Sequence, residues 1–258
     1  MKVHIIGGGN LGVAIALGLA KFAADTEITV TRRNIESIKY LEHHGITVAS
    51  DNTHEIASAD IIILTVKPYQ AGLVVNEILP FITNKTIASA ISGLTVETLQ
   101  DLTHNQHSVV RIMPNIAAQF GASATCIAFD PKDKAQSEDV ISLFKTLGTV
   151  PVIDEKLMDA ATVLGACGTA YALRYIRASM QAGIEIGFDS KTALAIAAQT
   201  VKGAAQMLLE ENVHPEALID RVTTPQGCTI VGLNEMEHQG FSSSLIKGIK
   251  TSLQKIKG

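Results

Sequence analysis

Six short β-branched runs separated by helical stretches fill the first 113 residues, and this alternation constrains the fold more than any other feature. "KVHII" (2–6), "EITVT" (27–31), "ITVAS" (46–50), "DIIILTV" (60–66), "TIASAI" (86–91) and "HSVVRIM" (107–113) read as strands, with helices expected over 10–23 and 34–43. Such alternation predicts a mostly parallel, doubly wound sheet with right-handed crossovers. "DIIILTV" is apolar on both faces, as a central strand covered by helices requires. "CIAF" (126–129) and "VPVI" (150–153) are expected to extend the sheet, with a helix over 134–147.

After Asp154 the texture changes. Residues 155–187 and 189–211 are long, Ala-rich and helical, and shorter helices follow near 214–222, 228–239 and 241–256. Asp189 is expected to cap the second long helix and Gly187 to stop the first. These helices are apolar on most faces, which requires burial, and a domain of this size cannot cover all of that surface alone. A subunit interface is the natural cover. The fold class is therefore α/β: an N-terminal doubly wound domain over 1–153, then an all-α dimerisation domain over 154–258.

"VHIIGGGNLGVAIALGL" (3–19) carries Gly7, Gly9 and Gly12 in G-x-G-x-x-G spacing. A lone motif of that form is weak, but here it follows a strand and opens a helix within a βαβ unit, as in the Rossmann dinucleotide fingerprint. Gly7 serves the tight turn, Gly9 lets the backbone approach a pyrophosphate, and Gly12 lets helix and strand pack closely. At the end of the second strand, "TVTRRN" (29–34) places Arg32 and Arg33 where an NAD-type site usually carries an acid. A carboxylate would repel a 2′-phosphate, whereas a guanidinium fork binds it. NADPH is the expected cofactor, with NADH weaker; the alternative is that both arginines are solvated loop residues. "TVKP" (65–68) presents Lys67 at the carboxyl edge of the sheet, and "RIMPN" (111–115) ends a strand at the same edge.

Nearly half the residues are apolar (47%), only 18% are charged and the net charge is −4, which fits a folded globular protein and argues against a nucleic-acid footprint. No apolar run approaches the ~20 residues of a membrane span, and a strand starting at Lys2 leaves no room for a signal peptide. Cys126, Cys167 and Cys228 form neither a disulfide framework nor a metal pattern, so a reducing cytoplasm and no metal are expected. His43, His44, His104, His107, His214 and His238 read as surface residues. Glu235 and Glu237, two apart on a helix, share no face. Tyr171 and Tyr175 fit an interface or core.

"VTTPQGCTIVGL" (222–233) begins a helix with hydroxyls, a proline and a glycine. A helix start offers unpaired N–H groups and partial positive charge, and so binds an anion without a buried arginine. Simple capping by Thr223 or Thr224 explains a hydroxyl but not the surrounding Pro-x-Gly-x-Thr pattern.

Taken with "IIGGGNLG", "VKP", "RIMPN" and "AGIEIG" (182–187) in this order and spacing, that stretch makes the whole chain resemble the pyrroline-5-carboxylate reductase family. The resemblance implies NADPH-dependent reduction of the cyclic imine 1-pyrroline-5-carboxylate to L-proline. It also implies a homodimer of interlocking helical domains, often assembled further into a ring. Gly7, Gly9, Asn10, Leu11 and Gly12 match the family's phosphate loop, and Arg32 and Arg33 its 2′-phosphate region. Asn52 matches an asparagine over the adenosine, and Val66, Lys67 and Pro68 a central cofactor-contacting turn. Thr224, Gly227, Cys228 and Thr229 match the loop for the substrate carboxylate and ring nitrogen. Thr229 is then the catalytic donor to that nitrogen as hydride reaches the imine carbon. The chain departs from the family pattern at Gln226, at Ile116 and Ala117, and at Thr169.

Three alternatives stand beside this reading: a reductase of a related imine, a β-hydroxyacid or ketoacid dehydrogenase, and a non-catalytic NADPH-binding protein. A dehydrogenase of the hydroxyacid kind places a lysine inside its helical domain. Lys202 is the only one well inside the long helices here, and its neighbourhood lacks polar partners.

Overall fold

The computed structural model describes residues 1–257 and resolves into two compact units, Met1–Ala166 and Cys167–Ile256. In the first unit, β1 (Lys2–Ile6), β2 (Glu27–Thr31), β3 (Thr47–Ala49), β4 (Ile61–Leu64), β5 (Thr86–Ser89) and β6 (Ser108–Met113) lie in the order β3-β2-β1-β4-β5-β6, all parallel. A short β7 (Ser123–Ala124) precedes β8 (Cys126–Phe129), which closes the far edge antiparallel to β6. Helices α1 (Asn10–Phe22), α2 (Ala71–Ile78), α3 (Val96–Leu102) and α4 (Lys134–Lys145) connect the strands.

Alternation along the strands sorts the core into two layers. Ile5, Val30 and Ile63 point to the side packed by Ile15 and Leu19 of α1 and Phe144 of α4. Ile6, Ile62 and Ile87 point to the side packed by Val75 and Ile78 of α2 and Leu99 of α3. Each fully buried side chain of this size contributes about 1.5–3 kcal/mol relative to exposure. Every residue of β4 is buried, as a doubly covered strand must be.

Four expectations need correction. The segment expected as a helix over 34–43 forms two 3-10 turns, Ile35–Ser37 and Lys39–His44. Its buried anchors, Ile38 and Leu41, are three apart, which is the period of a 3-10 turn. Residues 150–153 do not add a full strand. The pairing falls on β9 (Gly148–Thr149) with β7, and beyond it only Val152 bridges to Ile127. Pro151 has no N–H to offer a ladder. His107 is buried rather than exposed: its Nδ1 accepts the Lys85 N–H at 3.1 Å, and burial lowers its pKa.

The long helix expected over 155–187 is interrupted. A 3-10 turn (Glu155–Leu157) capped by Asp154 leads into α5 (Met158–Ala161), a π-helical turn (Thr162–Cys167) and then α6 (Gly168–Glu185). The Gly165 carbonyl in the π turn accepts from Asn115 Nδ2 at 3.2 Å. The segment ahead of α6 packs against β6 and β8 through Met113, Ala128 and Met158.

The second unit contains α6, α7 (Ser190–Glu211), α8 (Pro215–Val222), α9 (Cys228–His238) and α10 (Phe241–Lys257). Asp189 caps α7 by accepting from the N–H groups of Lys191 and Thr192, and α6 stops ahead of Gly187 as expected. Tyr171 shares a 2.7 Å hydrogen bond with Ser252, and the Tyr175 ring meets Phe241 edge-on at 6.2 Å, so both tyrosines join α6 to α10. Much apolar surface is left open: α6 has no buried residue, and Leu173, Ile186 and Ile196 are 57%, 77% and 49% exposed. No helix among the described residues is long and apolar enough to cross a membrane.

Candidate functional site

The β1–α1 turn is fixed from three directions. Gly7 and Gly8 both donate to the Thr31 carbonyl, at 3.1 and 3.0 Å. Gly7 sits at φ +112°, in the region that favours glycine. Thr65, at the end of β4, donates its hydroxyl to the Gly7 carbonyl at 2.7 Å. A Cβ on Gly12 would lie 2.2 Å from the Gly7 oxygen, so helix and turn touch backbone to backbone. Around Gly9, by contrast, nothing comes within 4 Å of an added Cβ. Gly9 is also the N-cap of α1, with no side-chain cap and no acid in the first turn. The turn thus presents open space and a free helix start, which fits a diphosphate.

A cleft over this turn brings together most of the expected cofactor residues: Gly7, Gly9, Arg32, Arg33, Asn52, Val66 and Lys67. Asn10 is the exposed first residue of α1, Leu11 packs on the core, Gly12 is buried beneath the turn, and Pro68 heads a 3-10 turn; none of the four lines the cleft. Arg32 Nη1 donates to the Gly8 carbonyl at 2.7 Å, which holds one edge of its guanidinium on the glycine turn. Arg33 and Lys67 are exposed. Asn52 Oδ1 accepts from Thr31 Oγ1 at 2.6 Å, and its Nδ2 donates to Glu77 at 2.9 Å.

Sequence reasoning missed both the Thr65 lock and Glu77. The threonine had a signal, a hydroxyl at the carboxyl end of the central strand. Glu77 had none, because its partner lies 25 residues away.

Nearby, Arg111 of the "RIMPN" stretch is 4% exposed and pairs with Glu155 at 3.2 Å and Asp159 at 3.6 Å. Glu155 also accepts the Val96 N–H. These contacts hold the segment ahead of α6 to the sheet. Asn115 caps the following 3-10 turn by accepting from Ala117 N–H. Ile116 is exposed and Ala117 half-buried in that turn.

In the second unit, α9 begins at Cys228 with Gly227 as an extended N-cap, and no side chain caps it. Thr223 donates instead to the Ile219 carbonyl, at the end of α8. The Thr224 carbonyl accepts the Gly227 N–H at 3.0 Å, with Gln226 in the left-handed region at φ +61°. An added Cβ on Gly227 would lie 2.5 Å from Thr224 Oγ1, so only glycine leaves that hydroxyl where it is. Cys228 is exposed and Thr229 half-buried, both in a first turn without acidic residues. Simple capping is therefore not what the threonines do here. The start of α9 is polar, open and positively polarised. Thr169 is half-buried on α6, and Lys202 is exposed.

Comparison with known proteins is consistent across the chain. The family model described as pyrroline-5-carboxylate reductase dimerisation matches residues 155–258, and that described as NADP oxidoreductase coenzyme F420-dependent matches residues 2–93. The chain is 44% identical to pyrroline-5-carboxylate reductase 1 of Dictyostelium discoideum over 98% of its length, and spans 49% of that longer relative. It is 40% identical to pyrroline-5-carboxylate reductase 2 of the same organism, covering 98% of this chain and 91% of that one. The crystal structure of Plasmodium falciparum pyrroline carboxylate reductase with NADP bound superposes with a TM-score of 0.89 at 26% identity, covering 100% and 97% of the two chains.

Proposed function

The chain belongs to the pyrroline-5-carboxylate reductase family, and we propose that it reduces 1-pyrroline-5-carboxylate to L-proline with NADPH as cofactor. The observation that carries the reading is the uncapped start of α9, with the Thr224 hydroxyl packed against Gly227. A small cyclic imine carrying a carboxylate matches that start. The first-turn N–H groups and the Thr224 hydroxyl bind the carboxylate, and Gly227 and Cys228 present backbone rather than bulk.

Bound NADPH supplies the hydride that the imine carbon takes up. The turn formed by Gly7, Gly9, Asn10, Leu11 and Gly12 orients the dinucleotide by its diphosphate. Arg32 and Arg33 would hold the 2′-phosphate, Asn52 would meet the adenosine, and Val66, Lys67 and Pro68 would form the central cofactor-contacting turn. As electron density arrives at the ring nitrogen, the Thr229 hydroxyl donates to it, which makes Thr229 the catalytic residue. The iminium is already electrophilic, so this chemistry asks for no strong base and no metal.

In this reading residues 1–153 hold the cofactor and 154–258 hold the substrate and the dimer. The open apolar faces of α6 and α7 support a homodimer, assembled further into a ring of dimers. Three free cysteines fit the cytoplasm. The test is loss of NADPH absorbance with and without 1-pyrroline-5-carboxylate: consumption that depends on the imine is expected. Oxidation of a hydroxyacid by NADP, or cofactor binding with no turnover, would replace the reading with one of its rivals. Sedimentation at low micromolar concentration is expected to give a dimer or larger species; a stable, soluble monomer would remove the assembly.

A further inference from the structure

The cofactor cleft holds a carboxylate that neither the glycine motif nor the basic pair accounts for. Gln70, Leu73, Val74 and Glu77 all line it, at i, i+3, i+4 and i+7, so one stripe running from the preceding 3-10 turn along α2 faces the cleft. Glu77 is the charged member of that stripe. Its Oε2 accepts a hydrogen bond from Asn52 Nδ2 at 2.9 Å. A carboxylate is an acceptor only, so the Asn52 amide must turn its NH2 toward Glu77 and its oxygen toward Thr31. Thr31 Oγ1, on a residue with no solvent exposure, completes the chain at 2.6 Å. Three elements are thereby joined through one amide: the end of β2, the loop after β3, and α2. Held at both ends, Asn52 keeps one N–H and one lone pair for a ligand, in a fixed orientation.

We propose that Glu77 is a positioning residue for the adenosine end of the cofactor, acting through Asn52. The inference rests on the NADPH reading of this cleft and adds a residue to it. An asparagine on a loop loses side-chain freedom when it binds a ligand, and a partner that fixes its rotamer beforehand removes that cost. Because adenosine is common to NADPH and NADH, the effect falls on both cofactors. Because the contact lies away from the reacting carbon, it falls on binding rather than on turnover.

The test is direct titration of the purified protein with NADPH and with NADH by cofactor fluorescence, beside steady-state kinetics and thermal melting. Glu77→Ala is expected to raise both dissociation constants about three- to tenfold, the order of one hydrogen bond, with kcat at saturating NADPH unchanged and a fall in melting temperature of only a few degrees. Glu77→Gln keeps an acceptor for the Asn52 N–H and is expected to bind both cofactors within about twofold of wild type. Asn52→Ala, which also removes the ligand contact, is expected to weaken binding at least as much as Glu77→Ala, and the double variant to be no weaker than Asn52→Ala alone. Unchanged affinity in Glu77→Ala, additive losses in the double variant, or a Gln variant as weak as Ala would each overturn the proposal. Wild-type protein that binds neither dinucleotide would instead remove the cofactor reading on which it rests.

Discussion

The two units each contain a helix start that lacks a side-chain cap, and the two are built in opposite ways. Gly9 ahead of α1 and Gly227 ahead of α9 are both extended N-caps, and both first turns are free of acids. Thr95, Asp189 and His214 cap α3, α7 and α8 with side chains, while α2, α4, α5 and α6, which have no side-chain cap, run on from a preceding helical turn rather than from extended backbone. Among the described helices that begin from extended backbone, α1 and α9 are thus the two without a side-chain cap. Around α1 the open start is over-determined, because backbone from β1, β2 and β4 closes on the turn and leaves Gly9 the one open position. Around α9 the closure is a single turn, with one hydroxyl against one glycine. In the proposed reading the first is a rigid cradle for a large anion and the second an exposed start for a small one, where hydroxyls add to the backbone N–H groups. Packing changes should damage the first, and hydroxyl changes the second.

The largest effect is expected at the rigid start. Gly12→Ala would drive a Cβ to 2.2 Å from the Gly7 oxygen, and backbone there cannot move without breaking the Thr31 and Thr65 contacts. Overpacking of this kind costs about 1–3 kcal/mol of stability, and NADPH binding should fall below detection in a fluorescence titration. A variant that folds and binds NADPH normally would show that the turn is looser than its contacts imply.

At α9 the expected loss is chemical. Thr229→Ala should lower kcat roughly ten- to a thousandfold, the range for one oriented donor, while leaving NADPH affinity and melting temperature unchanged. Thr229→Ser keeps the hydroxyl and should recover much of the rate. Full turnover in the alanine variant would transfer the donor role to ordered water.

This contrast also marks how far the residues could be read without coordinates. The strands, their mostly parallel class and the glycine turn are legible because they depend on local periodicity and on spacing within one βαβ unit. So is the α7 cap, since Asp189 acts on its own next residues. The 3-10 turns over 35–44 were not legible, because Ile38 and Leu41 fit a helical pattern until the sheet determines where they point. His107 was misread for the same reason: a polar neighbourhood in sequence became a buried strand end in space. Glu77 and Thr65 contribute through partners 25 and 58 residues away, which no local pattern carries.

Charge at the cofactor cleft gives the next effect. Replacing Arg32 and Arg33 together by alanine should raise the KM for NADPH by about tenfold or more and leave that for NADH within about twofold, since only the former carries the 2′-phosphate. Equal changes would remove the phosphate assignment. Smaller still is Thr224→Ala, expected to raise the substrate KM about three- to tenfold at constant kcat, because a carboxylate contact is equal in ground and transition states. A fall in kcat instead would mean that Thr224 acts on the reacting atoms.

The smallest effect comes from the strand that leads into the rigid turn. His4 lies on β1, three residues before Gly7, 2% exposed and with no partner for Nε2. Burial pushes its pKa from 6.5 down to about 4; His54 adds to the fall, and the Asn52 carbonyl and Asp51 oppose it. The imidazole is thus neutral when folded and protonates near 6.5 when unfolded. Between pH 6.5 and about 4 the unfolded chain holds the extra proton, so the stability present above 6.5 is lost as pH falls through that window. At pH 5.5 the loss from this one group is about 1 kcal/mol. His107, lowered by burial too, adds in the same direction. Urea unfolding at pH 7.5 and 5.5 should therefore show wild type losing more stability than His4→Leu, which keeps the His107 part but has no group to titrate at position 4. Identical losses in the two proteins would mean that folding does not lower the His4 pKa.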